Sequence, residues 1–475
     1  MNNKAIIGGF LWQYVERFSV QSISFIVTII LARLLMPEEY GIVSIASIFI
    51  TLLEVFVTSG WSNALVQKKT ATRVDFSSVF YFNLFFSLFL FIGVLLLAPA
   101  IGGMYSSTKV APVLQLMSFR IVISSFNSIQ QAYVQRNLLF KRQFYSSLVG
   151  TIASAILGVG AAYNGFGVYA LVIQYLSYAA LNTLILFLTI KWRPTLDFSW
   201  QRLKGLLKYG WKLLGAGLLN TLFAELKGFI IGGRYSSSDL AYYDKGKQFP
   251  SLIYDNLNTS IGKVLFPLMS QAQDDVHKIQ NMTRISLQIM SAILLPVLYI
   301  LFAIGNSMID LLLTDKWLPA VPFLRITCVT FSLVIPNTVF TNAINAIGRS
   351  DLHLKVEIIN IMSGVLILLA FMNLGTLYIA FSVTLSNLVC LIVRLVICYR
   401  LFDMTVKNFV SDFLKPYMCS IWMAAILFLM NHYLNNNILE LILCPLVGFV
   451  IYILLLYFMN RSIMCSIVSI INHLR

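Results

Sequence analysis

Apolar runs of membrane-spanning length follow one another along almost the whole chain, separated by short polar turns. A helix that crosses a bilayer needs about 20 mostly apolar residues. Such runs lie near 9–35, 41–66, 77–103, 110–135, 144–163, 167–190, 208–232, 240–270, 283–305, 320–346, 354–373, 375–399, 413–434 and 437–459. The pattern predicts an all-α integral membrane protein with about 14 transmembrane helices. The ten-residue alternation that a membrane barrel requires is absent from the sequence.

The runs repeat. ARLLMPEEYG (residues 32–41) ends one apolar segment and opens the next, and GRYSSSDLAY (residues 233–242) does the same later. At an offset of about 201 residues, Arg33 falls on Arg234, Glu54 on Asp255 and Thr58 on Thr259. This predicts two six-helix lobes related by a pseudo-two-fold axis along the membrane normal, since an even number of spans leaves both lobes in one orientation. The expected divisions are residues 1–200 for the N-lobe (helices 1–6) and 201–405 for the C-lobe (helices 7–12). Residues 406–475 would hold helices 13 and 14 and an amphipathic tail lying on the inner membrane surface. The basic stretch 191–208, the longest connection, marks the change of lobe.

Composition agrees. The chain is 59% hydrophobic and 11% charged, where soluble domains hold about 25% charged residues. The net charge of +15 does not point to nucleic acid, because its cations are sorted by loop. Even-numbered loops hold Lys68, Lys69, Arg73, Arg136, Lys141, Arg142 and most of the later cations, whereas odd loops hold Arg33, Lys109, Arg234, Lys245, Lys247 and Lys316. Cations concentrate on the cytoplasmic side, so both termini are expected in the cytoplasm. The first span follows Lys4, is too long for a signal peptide and reads as a retained helix. The six cysteines show no CxxC spacing and the four histidines are scattered, so no metal or cofactor is expected. GVG at 158–160 is a helix-ending glycine pair, no P-loop occurs, and no large outer loop carries paired carboxylates. No enzyme is expected.

Polar residues form stripes. Ser44, Ser47, Thr51, Glu54 and Thr58 step by three and four along span 2, and Asp244, Gln248, Ser251, Asp255 and Asn258 do so along span 8. Span 1 carries Gln13, Arg17, Gln21, Ser24 and Thr28; span 4 carries Arg120, Ser124, Ser128, Gln131 and Gln135; span 12 carries Thr384, Asn387 and Arg394. Serine and threonine also join helices without any cavity, but full charges inside a membrane are costly and mark function. The candidate substrate-binding cations are Arg17, Arg120, Lys227, Lys263 and Arg325; the candidates for coupling or charge balance are Glu16, Glu54, Glu225 and Asp255. Each has a structural reading beside the functional one. Glu16 would pair with a nearby cation, and Arg394, Glu357, Arg325 and Lys227 would snorkel from the span ends. Arg17, Glu54 and Asp255 lie deeper. Arginine forms forked hydrogen bonds to phosphate, so cavity cations suit an anionic substrate.

Longer motifs then carry a resemblance. LARLLMPEEYGIVSIASIF (31–49), QAYVQRNLLFKRQF (131–144) and YYDKGKQFPSLIYDNLNTSIGKVLFPLMSQ (242–271) resemble the polysaccharide-transporter family, nearest to its WzxC-like exporters within the multidrug/oligosaccharidyl-lipid/polysaccharide flippase superfamily. DKWLPAVPFLRI (315–326) and AINAIGRSDL (343–352) fit as well, and the likeness covers roughly residues 5–400. It implies a multi-pass protein of the bacterial inner membrane. Such a protein moves polyprenyl-pyrophosphate-linked oligosaccharide outward by alternating access, for capsule, exopolysaccharide or O-antigen assembly. The implied partners are lipid-linked oligosaccharide and membrane lipids, with a polysaccharide polymerase and glycosyltransferases as further partners. In this reading Arg17 holds the pyrophosphate, and Glu54 and Asp255 carry a coupling ion or balance arginines. An ion-coupled multidrug exporter of the same fold and a non-transporting scaffold of a polysaccharide assembly complex stay open as alternatives.

Overall fold

The computed structural model describes residues 3–105, 107–273, 275–434 and 436–460, with all side chains except those of 3–7, 9–10, 260–261, 263–264 and 266. The expected C-terminal tail and Lys263 thus lie outside the described residues and side chains. Everything regular among the described residues is helical. The order is α1 (Asn3–Leu34), α2 (Pro37–Thr58), α3 (Trp61–Gln67), α4 (Arg73–Gly103), α5 (Val110–Asn137), α6 (Phe140–Tyr163), α7 (Val168–Thr189) and α8 (Trp200–Arg234). Then come α9 (Ser237–Gln271), α10 (Val276–Leu313), a 3-10 helix (Asp315–Ala320), α11 (Val321–Ala346), α12 (Ser350–Phe371) and α13 (Thr376–Phe402). A broken segment of α14 (Val406–Phe409), a π turn (Val410–Leu414) and α15 (Lys415–Tyr433) leads to α16 (Asn437–Met459).

Among the described residues 13 helical segments are long and apolar enough to cross a membrane. The remaining expected span, 240–270, does form as one helix of 35 residues, α9. It falls short on apolarity because Asp239, Asp244, Lys245, Lys247 and Asp255 lie along it. Phe85, Leu96, Leu188, Leu446 and Phe458 stand exposed on their helices, as lipid-facing side chains do when the solvent is hydrocarbon.

The turns follow local chemistry. Pro37 opens α2, where a missing N–H costs nothing. Thr72 accepts from the Asp75 amide and Asp75 accepts from the Thr72 amide at 2.8 Å, capping α4 reciprocally. Gly167, at φ +54°, supplies the backbone conformation that admits the chain to α7. Arg136, at the end of α5, donates to the carbonyls of Leu65 (3.0 Å) and Lys69 (2.8 Å), satisfying the exposed end of α3.

By contact the chain divides into Met1–Ala241 and Tyr242–Arg475. In the first unit α2 packs on α5 and α8, α4 on α5, and α6 on α1 and α7. Trp61, Leu65, Phe76, Phe80, Leu186, Trp192, Leu203 and Leu206 form its core around α3. The basic connection before α8 is docked there, with the Thr195 and Ser199 amides donating to Ser77 Oγ (3.0 Å) and Ser78 Oγ (2.9 Å). In the second unit α10 is the hub for α11, α15 and α16, while α12 lies on α13. Grouping by contact puts α8 with the first unit, whereas grouping by repeat puts it in the second. Small residues explain the contact. A Cβ added to Gly210, Gly228 or Gly232 would lie within about 3 Å of Gly60, Ile48 or Ile45, so bare glycine lets α8 approach α2 and α3 closely.

The helix boundaries recur at a spacing that differs by one residue from the sequence alignment. α1 and α8 end at Leu34 and Arg234, and α2 and α9 start at Pro37 and Ser237, in each case 200 residues apart. Both starts are tied by an acid three residues past the cap. Glu39 accepts from the Met36 amide at 2.8 Å, and Asp239 accepts from Ser236 Oγ at 2.6 Å. Burial runs in step as well: Gly41, Val43, Ile45, Ala46 and Ile50 are buried, and so are Ala241, Tyr243, Lys245, Gly246 and Pro250. The counterpart of Glu54 is therefore Tyr254, which is buried, and not Asp255, which is exposed.

Candidate functional site

Glu54 sits on the face of α2 turned to α5 and is 9% exposed. Arg120 and Ser124 are one turn apart on α5 and so share a face. Both reach the carboxylate: Arg120 Nη2 donates to Oε2 at 2.9 Å and Ser124 Oγ to Oε1 at 2.6 Å. Each carboxylate oxygen thus has its own donor. A buried carboxylate is tolerated when it is paired and its lone pairs are satisfied, and both conditions hold. Two of the sequence candidates are joined here as an ion pair.

A second cluster lies on α1. Glu16, Arg17, Gln21 and Ser24 line a cavity of ≈ 470 Å³ together with Ser147 of α6 and Tyr178 of α7. Ser147 Oγ donates to Glu16 Oε1 at 2.7 Å, so the partner of Glu16 is a hydroxyl where a cation was expected. Both clusters lie in the first unit. Arg17 is exposed and makes no ion pair among the described residues. Its five donors are available to an anion. Neither Ser147 nor Tyr178 stood out in the sequence; each is one of several hydroxyl residues on its helix, and nothing singles it out until a partner helix supplies the carboxylate.

A third feature is a cavity of ≈ 370 Å³ between α2, α3 and α5. The stripe Ser124, Ser128, Gln131 and Gln135 lines one wall, and Thr58, Ser62 and Asn63 another. Sequence periodicity picked out the first wall. It missed Asn127, which fits the same three-four stepping, and Ser62 and Asn63, which lie on the separate short helix α3.

The other candidates are scattered. Lys227 lies with its ammonium 4.5 Å from the Phe223 ring centre, on the same helix as Glu225. Arg325, in the second unit, places its guanidinium 4.9 Å from the Phe428 ring centre and donates to the Phe302 carbonyl at 3.3 Å. It is held by aromatic faces. Arg394 does not snorkel. It is 6% exposed and donates to Glu357 Oε1 and Asn337 Oδ1, both at 2.9 Å, tying α13 to α12 and α11. Lys245, counted among outer-loop cations by sequence, is buried inside the second unit with its ammonium over the Trp317 ring. Among the described residues no three His, Cys, Asp or Glu side chains are grouped to hold a metal ion.

The family model for "Polysaccharide biosynthesis protein" matches residues 30–322, more than half of the chain. The chain belongs to this family. The motifs at 31–49, 131–144 and 242–271 that carried the resemblance all fall within the match. Relatives match most of the chain. The succinoglycan biosynthesis transport protein ExoT of Rhizobium meliloti is 23% identical, over 98% of this chain and 95% of its own. The lipopolysaccharide biosynthesis protein WzxC of Escherichia coli is 22% identical, over 88% of this chain and 84% of its own. In fold, the chain is similar to the lipid II flippase MurJ in an inward closed conformation. The TM-score is 0.75 at 16% identity, over 96% of this chain and 100% of that one.

Proposed function

We propose that this protein is a flippase that carries polyprenyl-pyrophosphate-linked oligosaccharide from the inner to the outer leaflet of the bacterial cytoplasmic membrane. It works by alternating access and serves capsule, exopolysaccharide or O-antigen assembly. Residues 1–200 and 201–405 act as its two lobes, 406–475 stand outside them, and both termini are cytoplasmic. Polymerase and glycosyltransferases are its functional neighbours. The chain acts as a carrier and not as an enzyme.

One observation carries the assignment of a role to a residue. Arg17 is an exposed guanidinium at the Glu16 cavity, without an ion pair among the described residues. It contrasts with Arg120 and Arg394, whose charges are consumed by carboxylates. An unpaired arginine in a span is costly, and a pyrophosphate offers the forked acceptor geometry that would repay it. The family and the roles of its relatives in polysaccharide transport and biosynthesis make the lipid pyrophosphate the natural anion.

The test is transport of lipid-linked oligosaccharide in proteoliposomes. Arg17→Ala abolishes it at normal protein level, and Arg17→Lys restores only part, because lysine keeps the charge and loses the fork. Full transport by Arg17→Ala would overturn the role of Arg17. No transport by the wild-type protein would overturn the flippase reading.

A further inference from the structure

We propose that the cavity between α2, α3 and α5 is a subsite for an uncharged sugar of the lipid-linked saccharide. The proposal rests on the flippase reading and adds a ligand class and a location to it.

The cavity has the size of a small-molecule site, ≈ 370 Å³ against about 300–1,000 Å³ for such sites. Its mouth is formed by the exposed residues Thr58, Asn63 and Gln135, and its floor by the buried residues Ser62 and Ser128. No charged side chain lines it. What lines it instead are hydroxyls and carboxamides, with Val66 and Ala132 as apolar patches. Hydroxyls and carboxamides both donate and accept hydrogen bonds. Sugar hydroxyls do the same, and sugar rings also present C–H faces that suit the apolar patches.

The lining is not simply helix glue. Ser128 on α5 is satisfied, donating to Ser125 O and accepting from Asn83 Nδ2 of α4, both at 3.2 Å. The carboxamides differ. The carbonyl oxygen of Asn127 is buried and has no hydrogen-bond partner. Gln131 and Gln135 contribute no side-chain hydrogen bond among the described residues, although both line the cavity. Three amides in two turns of one helix are therefore left with capacity to spare, and for the buried Asn127 oxygen this departs from the usual pairing of buried polar groups.

Electrostatics then select among sugars. Glu54 and Arg120, linked to the cavity through Ser124, neutralise each other, and Arg136 at the rim has its donors engaged by the carbonyls of Leu65, Val66, Lys68 and Lys69. A uronic acid or phosphosugar placed here would lose hydration without meeting a free cation. A neutral hexose or N-acetylated sugar would not. The structure thus separates two tasks within the first unit: Arg17 offers charge to the pyrophosphate, and the α5 amides offer neutral hydrogen bonds to the saccharide.

The test uses the full chain in lipid nanodiscs and three probes: bare undecaprenyl pyrophosphate, the same lipid bearing a neutral disaccharide, and the same bearing a disaccharide with one uronic acid. The neutral glycolipid binds at least about tenfold tighter than the bare lipid, and the uronic glycolipid gains no more than the neutral one. In Asn127→Leu/Gln131→Leu the neutral glycolipid loses its advantage. Equal binding of bare and neutral lipids by the wild type, an advantage that survives in the double variant, or a tenfold preference for the uronic probe overturns the subsite. Failure of all three probes to bind overturns the flippase reading itself, and the subsite with it. If the double variant does not fold, Gln131→Cys decides. Its reaction with a water-soluble maleimide is slowed by the neutral glycolipid and not by the bare lipid, and equal rates overturn the proposal.

Discussion

Arg120 and Glu54 are 66 residues apart in sequence and 2.9 Å apart in space, and Ser124 holds the other oxygen of the same carboxylate. Removing one partner leaves the other charge partly buried, and breaking a buried pair costs up to about 3–5 kcal/mol. Arg120 keeps 28% of its side chain exposed, so the cost here falls at the lower end. Glu54→Gln and Arg120→Gln each lower the melting temperature in detergent, and the double variant recovers much of the loss. Additive losses would show that the pair is not coupled. In transport assays the same variants separate the two roles left open by the sequence. If Glu54 only balances Arg120, the dependence on an ion gradient is unchanged in Glu54→Gln; if it carries a coupling ion, that dependence flattens.

Asp412 anchors the segment before the last two helices to α10. It is fully buried in the π turn before α15 and accepts from Arg284 Nε at 2.7 Å and Gln288 Nε2 at 2.7 Å, both on α10. Asp412→Ala leaves two donors facing an empty site and destabilises by about 3 kcal/mol or more. Cleavage by limited proteolysis moves to the segment between α13 and α15. An unchanged digestion pattern and melting temperature would contradict the anchoring role.

Gly246 of α9 lies against the start of α11. An added Cβ would come within 2.6 Å of Phe323 Cβ and 2.7 Å of the Ala320 carbonyl oxygen. One of these contacts is backbone, which cannot swing aside. Gly246→Ala is therefore overpacked and loses about 1–3 kcal/mol, despite the usual gain from replacing a helical glycine. Gly262, with nothing within 4 Å of its added Cβ, is the control, and Gly262→Ala is neutral or stabilising in the same thermal assay.

The orientation is tested by labelling. The described native cysteines are all buried, and with Cys465→Ser in the background a single introduced thiol dominates the signal. Cysteine at Asn436, between α15 and α16, is labelled from outside intact cells, and cysteine at Lys204 only after permeabilisation. The reverse pattern would refute cytoplasmic termini.

The sequence by itself determined the class, the spans, the expected orientation and the family. Apolar length is a one-dimensional property, the cation bias is read along the chain, and the motifs at 31–49 and 242–271 are local strings. It also found the right face of α5, because residues three and four apart stack on one side of a helix. Only the tertiary structure decided which charges meet. Arg120 and Glu54, Arg394 and Glu357, and Arg284 and Asp412 are joined across helices, and no spacing encodes such pairs. The register of the repeat needed it too. One residue turns a helix by about 100°, so an offset of 201 in place of 200 exchanges buried Tyr254 for exposed Asp255. Placement of α8 depended on glycines whose role is visible only once Ile45, Ile48 and Gly60 lie against them. A sequence fixes what each helix offers on each face; which offer is taken up depends on the neighbour that packing brings.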